Sequence, residues 1–237
     1  MADQYRGEPG LCELLAAASH ELRGPLQAIA GAAALLETDD PDQRRHVEVV
    51  RRSSERALRL VRELLDAALI GARRLSLRPE ANDLRRLIEQ GWDAVATAAR
   101  ARDVRLLVRV PDDATDAFAD ADRVIQVFTN LFDNAVRFTP EGGCVVVEAE
   151  RTAEGLQISV VDEGRGVDDE DLRNVFDRFW QAPNAVRGAA GLGLAISKGI
   201  VSAHGGQIWA RSVPGAGTAI CFTLPAISKM STLHPAG

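Results

Sequence analysis

"DADRVIQVFTNLFDNAVRFT" (residues 120–139) carries two patterns on one helix. At about 100° per residue, Val124, Phe128, Leu131, Phe132 and Ala135 cover one side. Gln126, Asn130, Asp133, Asn134 and Arg137 gather on the other. Asparagine is a poor helix former, so two of them one turn apart on a single face need a reason. A plain solvated face is one. A ligand-facing surface is the other: an amide oxygen suits magnesium, and a guanidinium suits phosphate.

Outward from this helix the chain alternates. A helix is expected over 84–101, with strands at "VRLLVRV" (104–110), "CVVVEAE" (144–150), "LQISVVD" (156–162), "QIWARS" (207–212) and "TAICFTL" (218–224). Helices are expected at about 121–138 and 191–204. Strands mixed with helices, several of them β-β neighbours, predict an α/β sandwich with one sheet and helices on one face. Before residue 73 the pattern is helical only. Leu11, Leu15, Ala18, Leu22, Leu26, Ile29, Ala33 and Leu36 recur at helical spacing, as do Val47, Val50, Ala57, Val61, Leu64, Leu65 and Ala68. "TDDPDQ" (38–43) separates the two stripes, with Pro41 set to open the second helix. Two helices alone bury too little to be stable, so the hairpin predicts a homodimeric four-helix bundle. The fold class is α plus α/β. Residues 1–72 are read as the hairpin, 73–83 as linker, 84–226 as the α/β domain and 227–237 as a tail.

The chain has 237 residues, is 46% hydrophobic and carries a net charge of −6. That composition supports a real core and argues against nucleic acid as a partner. Cys12, Cys144 and Cys221 are too dispersed for a disulfide framework or a zinc site and read as free thiols. No run approaches the roughly 18 to 20 apolar residues of a membrane span. A cytoplasmic location is expected, with any membrane segment or sensor domain on another chain or removed.

Further motifs carry chemistry. In "DEGRG" (162–166), Gly164 and Gly166 let backbone approach a flat ligand, and Asp162 ends a strand where it could accept from an exocyclic amine. A surface turn explains the same residues. "GAAGLGLAISKGIVSAHGG" (188–206) is a glycine-rich loop running into a helix, whose first amides suit an anion. His204 in its last turn reads as structural. "PGAGT" (214–218) is a tight turn or another pocket wall. In "SHELRGPL" (19–26), His20 lies off the apolar seam beside Glu21, and Gly24 and Pro25 weaken the helix one turn later. That suits a helix that bends to re-aim His20.

Together these residues resemble the catalytic core of a bacterial two-component sensor histidine kinase. "SHELRGPL" matches the H-box, "NLFDNAVRFT" (130–139) the N-box, "DEGRG" the first glycine box, "FDRFW" (176–180) the F-box and "GAAGLGL" (188–194), then "PGAGT", the second glycine box. The resemblance covers about residues 10–226 and implies a Bergerat-type ATP-binding sandwich. It implies His20 as phosphoacceptor, Glu21 as its general base and Asn134 as magnesium ligand. It implies an ATP site made of Asn130, Asn134, Arg137, Asp162, Gly164, Gly166, Arg187, Gly191, Leu192, Gly193 and Thr218. The implied reaction is Mg²⁺-ATP-dependent phosphorylation of His20, then transfer to an aspartate in the receiver domain of a response regulator. Gln181 departs from an arginine common in the family, for which Arg178 or Arg187 could compensate. Gly24, Ala189 and Ala190 depart too, and predict little phosphatase activity. The alternatives are an ATPase of the same nucleotide fold, or an ATP-binding scaffold without phosphohistidine.

Overall fold

The computed structural model describes residues 22, 24, 26–33, 36, 40–153, 155–181 and 191–225. The chain divides into two compact units, residues 1–75 and 76–237.

In the first unit, residues 26–33 form helix α1 and Pro41–Gly71 form α2. The start of α2 is written in its first three residues. Asp40 caps it, its side chain accepting from the Asp42 amide at 2.9 Å, and Pro41 follows in the first turn, where no amide is needed. Val61 and Ala67 are buried along α2, and ion pairs of Arg51 and Arg52 with Glu48 line its outer side. Hydrogen bonds from Arg51 and then Arg52 hold the Glu48 carboxyl down at about 2. Several residues of the sequence stripes stand open: Leu22 is 51% exposed, Ile29 46%, Leu36 61% and Val50 43%. Gly24 is helical, with open space where a Cβ would stand.

The second unit runs β1 (Glu80–Asp83), α3 (Leu84–Asp93), α4 (Ala96–Arg100), β2 (Arg105–Arg109), β3 (Asp116–Ala119), α5 (Ala121–Phe138), β4 (Cys144–Thr152), β5 (Gly155–Asp162), α6 (Asp169–Leu172), α7 (Gly193–Ala203), β6 (Ile208–Ser212) and β7 (Thr218–Pro225). The five-stranded sheet has the order β2-β4-β5-β7-β6. Among the described residues β2 and β4 pair parallel and the other pairs of this sheet are antiparallel. Period-two burial in β4 and β5 sends Val145, Val147, Ala149, Leu156, Ile158 and Val160 inward, while Glu148 and Glu150 face out. The inward residues meet the apolar face of α5, while α7 packs on β6 and β7. Phe128 is the hub, stacked on Phe132 at 5.7 Å and edge-on to Phe222 at 5.6 Å. Gly91 lets α3 approach α5: a Cβ there would stand 2.5 Å from that of Phe128.

Two features differ from expectation. The helix read over 84–101 is broken after Asp93, with Val95 at φ −112°, ψ 0° and its amide bonded back to Trp92. Val95 and Ala99 stay buried across the break, on the arc that Leu84, Leu87 and Ile88 begin. Residues 80–83, read as linker, form β1 and pair antiparallel with β3. The sequence "EAND" carries no alternation that would mark it as a strand. Among the described residues Cys144 and Cys221 are free thiols; Cys12 lies outside them.

Candidate nucleotide site

Asp162 is the last residue of β5 and faces Thr218, the first of β7, in the antiparallel register. Its Oδ1 accepts from the Gly164 amide at 2.8 Å and from the Thr218 amide at 3.3 Å. Its Oδ2 has no partner among the described residues. Burial pushes the carboxyl above the usual aspartate value, against the pull of the two amides. The glycines around it serve close approach. A Cβ on Gly217, at φ +95°, would stand 2.0 Å from the Asp162 carbonyl oxygen, and one on Gly166, at φ +72°, would stand 2.3 Å from the Val213 carbonyl. Ser212, which the sequence did not flag, joins these turns. Its hydroxyl donates to Gly217 O at 2.8 Å and accepts from the Val167 amide at 2.8 Å. With its one proton so used, the 3.0 Å contact to Thr218 Oγ1 is donated by the threonine.

The polar face of α5 supplies a second group. Asp120 caps the helix, and Asn130, Asp133, Asn134 and Arg137 follow along it. Asn130 Nδ2 donates to Gly193 O at 3.0 Å and to Ser197 Oγ at 3.3 Å. Asn134, half-buried, makes no side-chain hydrogen bond among the described residues. Arg137 is ion-paired with Asp133 at 2.7 Å, so it is not held in reserve for a phosphate alone. Arg102 was also missed by sequence reasoning. Its guanidinium takes the carbonyls of Val136, Arg137 and Thr139 at 2.6, 2.5 and 3.0 Å, closing the C-terminal end of the helix.

The third element is the start of α7. Gly191 sits at φ +69°, where a Cβ would meet the Trp180 carbonyl at 2.6 Å, and its own carbonyl accepts from the Phe179 amide at 2.8 Å. Leu192 is buried, so its side chain anchors the turn rather than facing a ligand. Gly193 then opens the helix without a side-chain cap, leaving first-turn amides for an anion. At the far end His204 is fully buried. Its Nδ1–H donates to Ile200 O at 2.9 Å and its Nε2 accepts from the Asp120 amide at 3.0 Å. Burial keeps this ring neutral by lowering its pKa, so its role is structural, as its position in the sequence implies. His20, Glu21, Arg187, Ala189 and Ala190 lie outside the described residues.

Among the described residues, no group of three or more His, Cys, Asp or Glu side chains is placed to hold a metal ion. A magnesium ion carried in with a phosphate chain needs only one or two protein oxygens, and the unpartnered amide of Asn134 fits that demand.

Two family models match the chain. One, described as the His Kinase A (phospho-acceptor) domain, matches residues 11–73. The other, described as histidine kinase-, DNA gyrase B- and HSP90-like ATPase, matches residues 119–228. Sensor histidine kinase WalK of Bacillus subtilis is 35% identical over 222 residues, 90% of this chain and 36% of its own length. Sensor protein TorS of Escherichia coli is 36% identical over 94% of this chain and 25% of its own. The chain therefore spans only about a quarter to a third of these relatives. The crystal structure of full-length ShkA in complex with AMPPNP superposes with a TM-score of 0.77 at 31% identity, covering 90% of this chain and 46% of that one. The fold and the two family matches define an ATPase-like α/β domain preceded, in the same chain, by a phospho-acceptor domain. The chain belongs to the histidine kinases of two-component systems, of which it carries the catalytic core.

Proposed function

We propose that this chain is a protein-histidine kinase core that phosphorylates itself on His20 from Mg²⁺-ATP and passes the phosphoryl group to an aspartate of a response-regulator receiver domain. The observation that carries the reading is the Asp162 carboxylate. Two backbone amides fix one oxygen and leave the other free at the mouth of the sheet, a fit for the 6-amino group of adenine. The glycines at 164, 166 and 217 bring backbone close enough to wall a flat base. The first amides of α7 suit the phosphates, with Asn130 and Thr218 on either side of that region of the sequence. Asn134 would hold the magnesium ion, which supplies neutralisation of phosphate charge.

In the transfer, a ring nitrogen of His20 attacks the γ-phosphorus and the bond to the ADP oxygen breaks. The proton on the other ring nitrogen passes to Glu21. Positioning and charge stabilisation carry most of such a reaction. The open apolar positions Leu22, Ile29, Leu36 and Val50 support pairing of the helical unit with a second copy in a four-helix bundle, which light scattering of the purified chain tests. Among the described residues no helix is long and apolar enough to cross a membrane.

The test is incubation with γ-labelled ATP. Label stable to alkali and lost in acid is expected on the wild type, and none on His20→Gln, with ATP affinity unchanged in that variant. Phosphate release without label identifies an ATPase instead, and nucleotide binding with neither identifies a scaffold.

A further inference from the structure

Ser197 is wholly buried in α7, four residues after Gly193, and enters the site described above only as a partner of Asn130. Its hydroxyl donates to Gly193 O at 2.9 Å. The Asn130 amide group donates to the same carbonyl and to the Ser197 oxygen. The orientation of that amide is fixed by chemistry, because a carbonyl oxygen can only accept. The –NH₂ of Asn130 therefore points at the Gly193 carbonyl and the Ser197 hydroxyl, and Oδ1 accepts no bond among the described residues. The carbonyl takes two donors, the serine gives one bond and receives one, and the ring of three is closed.

We infer that Ser197 and Asn130 are positioning residues that latch the start of α7 to α5, and that Asn130 acts through its –NH₂ group rather than as an oxygen ligand. The latch joins the first residue of α7, whose amides would meet phosphate, to α5 one turn before Asn134. It thereby sets the spacing between the anion-binding and the metal-binding ends of the triphosphate region. The adenine end at Asp162 is built by other bonds and does not depend on it. This rests on the nucleotide reading of the site.

The experiment measures the affinity of the full 237-residue chain for ATP with magnesium and for AMP, together with its thermal midpoint. Asn130→Asp keeps an oxygen but removes both donors and sets a carboxylate against the Gly193 carbonyl. It should bind ATP no better than Asn130→Ala. Ser197→Ala should weaken ATP about fivefold, the scale of one hydrogen bond, and add nothing further on top of Asn130→Ala. AMP binding should stay within about twofold in the serine variant, because that change touches only the phosphate end. Wild-type ATP affinity in Asn130→Asp overturns the assignment of Asn130. Equal loss of AMP and ATP in Ser197→Ala, or full additivity with Asn130→Ala, overturns the latch and makes Ser197 merely structural. A wild-type chain that binds neither nucleotide fails the functional reading instead, a result the variants do not mimic.

Discussion

The Asp162 end of the site is built from backbone, whereas the Asn130–Asn134 end is built from side chains on one helix. At Asp162 the geometry follows from strand register and from glycines that let turns approach within contact distance of carbonyls. On α5 the geometry follows from helical spacing, with one amide engaged by α7 and the next left free. Sites of the first kind tolerate almost no added atom in their turns. Sites of the second kind tolerate side-chain changes and lose only the function of the group removed.

The largest expected effect is therefore steric and at the backbone end. Gly217→Ala places a Cβ 2.0 Å from the Asp162 carbonyl oxygen at a φ of +95°. A cost of about 3 kcal/mol or more follows from combining overlap with backbone strain. Urea unfolding should show the loss; an unchanged midpoint would mean the turn relaxes freely. Next is Asp162→Asn. The new side chain keeps Oδ1 for the Gly164 and Thr218 amides but offers –NH₂ where the free oxygen was. ATP affinity should fall by about 2 kcal/mol as two donors face each other, while GTP, with a 6-oxo group, should gain relative to ATP. Competition binding with the two nucleotides measures this, and the fold should be kept.

His204 gives a smaller effect that depends on pH. Its folded pKa lies below the unfolded value of about 6.5. The unfolded chain therefore binds the proton first as pH falls. The stability it contributes is complete above that value and drains away below it, as protonation of Nε2 displaces the Asp120 amide from the cap of α5. Urea midpoints at pH 7.5 and 5.5 should differ in wild type and differ less in His204→Gln. The smallest change in stability is expected at the side-chain end. Asn134→Ala should leave the helix intact or better by about 0.5 kcal/mol, while magnesium no longer strengthens ATP binding. Titration with and without magnesium reads the loss.

The same division explains what the sequence made legible. Helix α5 was readable end to end because its apolar face repeats without interruption from Val124 to Val136, and a serviceable cap stands at Asp120. The five strands of the main sheet were readable from runs such as Val145–Val147 and Ile158–Val161. The β1–β3 pair was not, since β1 holds only polar or small residues and β3 has the single large apolar residue Phe118, which is too little pattern to mark a strand. Asp162 and its glycines could be singled out because their motif stands in one continuous stretch. Ser212, Ser197 and Arg102 were missed because each acts on a partner distant in sequence, and a serine or arginine has no local signature for that. Arg137 was read from its face as suited to phosphate; what that reading did not give is its ion pair with Asp133, one turn earlier.

The place of β7 bears on how the unit comes together. It follows every other described element in sequence, yet it lies inside the sheet, between β5 and β6. Until it inserts, β5 has an unpaired edge, Asp162 lacks the Thr218 amide, and Phe222 is missing from beneath Phe128. Pairings of such long sequence separation form late and slowly. A chain emerging from the ribosome would hold its earlier strands as an incomplete, adhesive sheet, and would gain its core and the fixed Asp162 carboxylate in the same closing step.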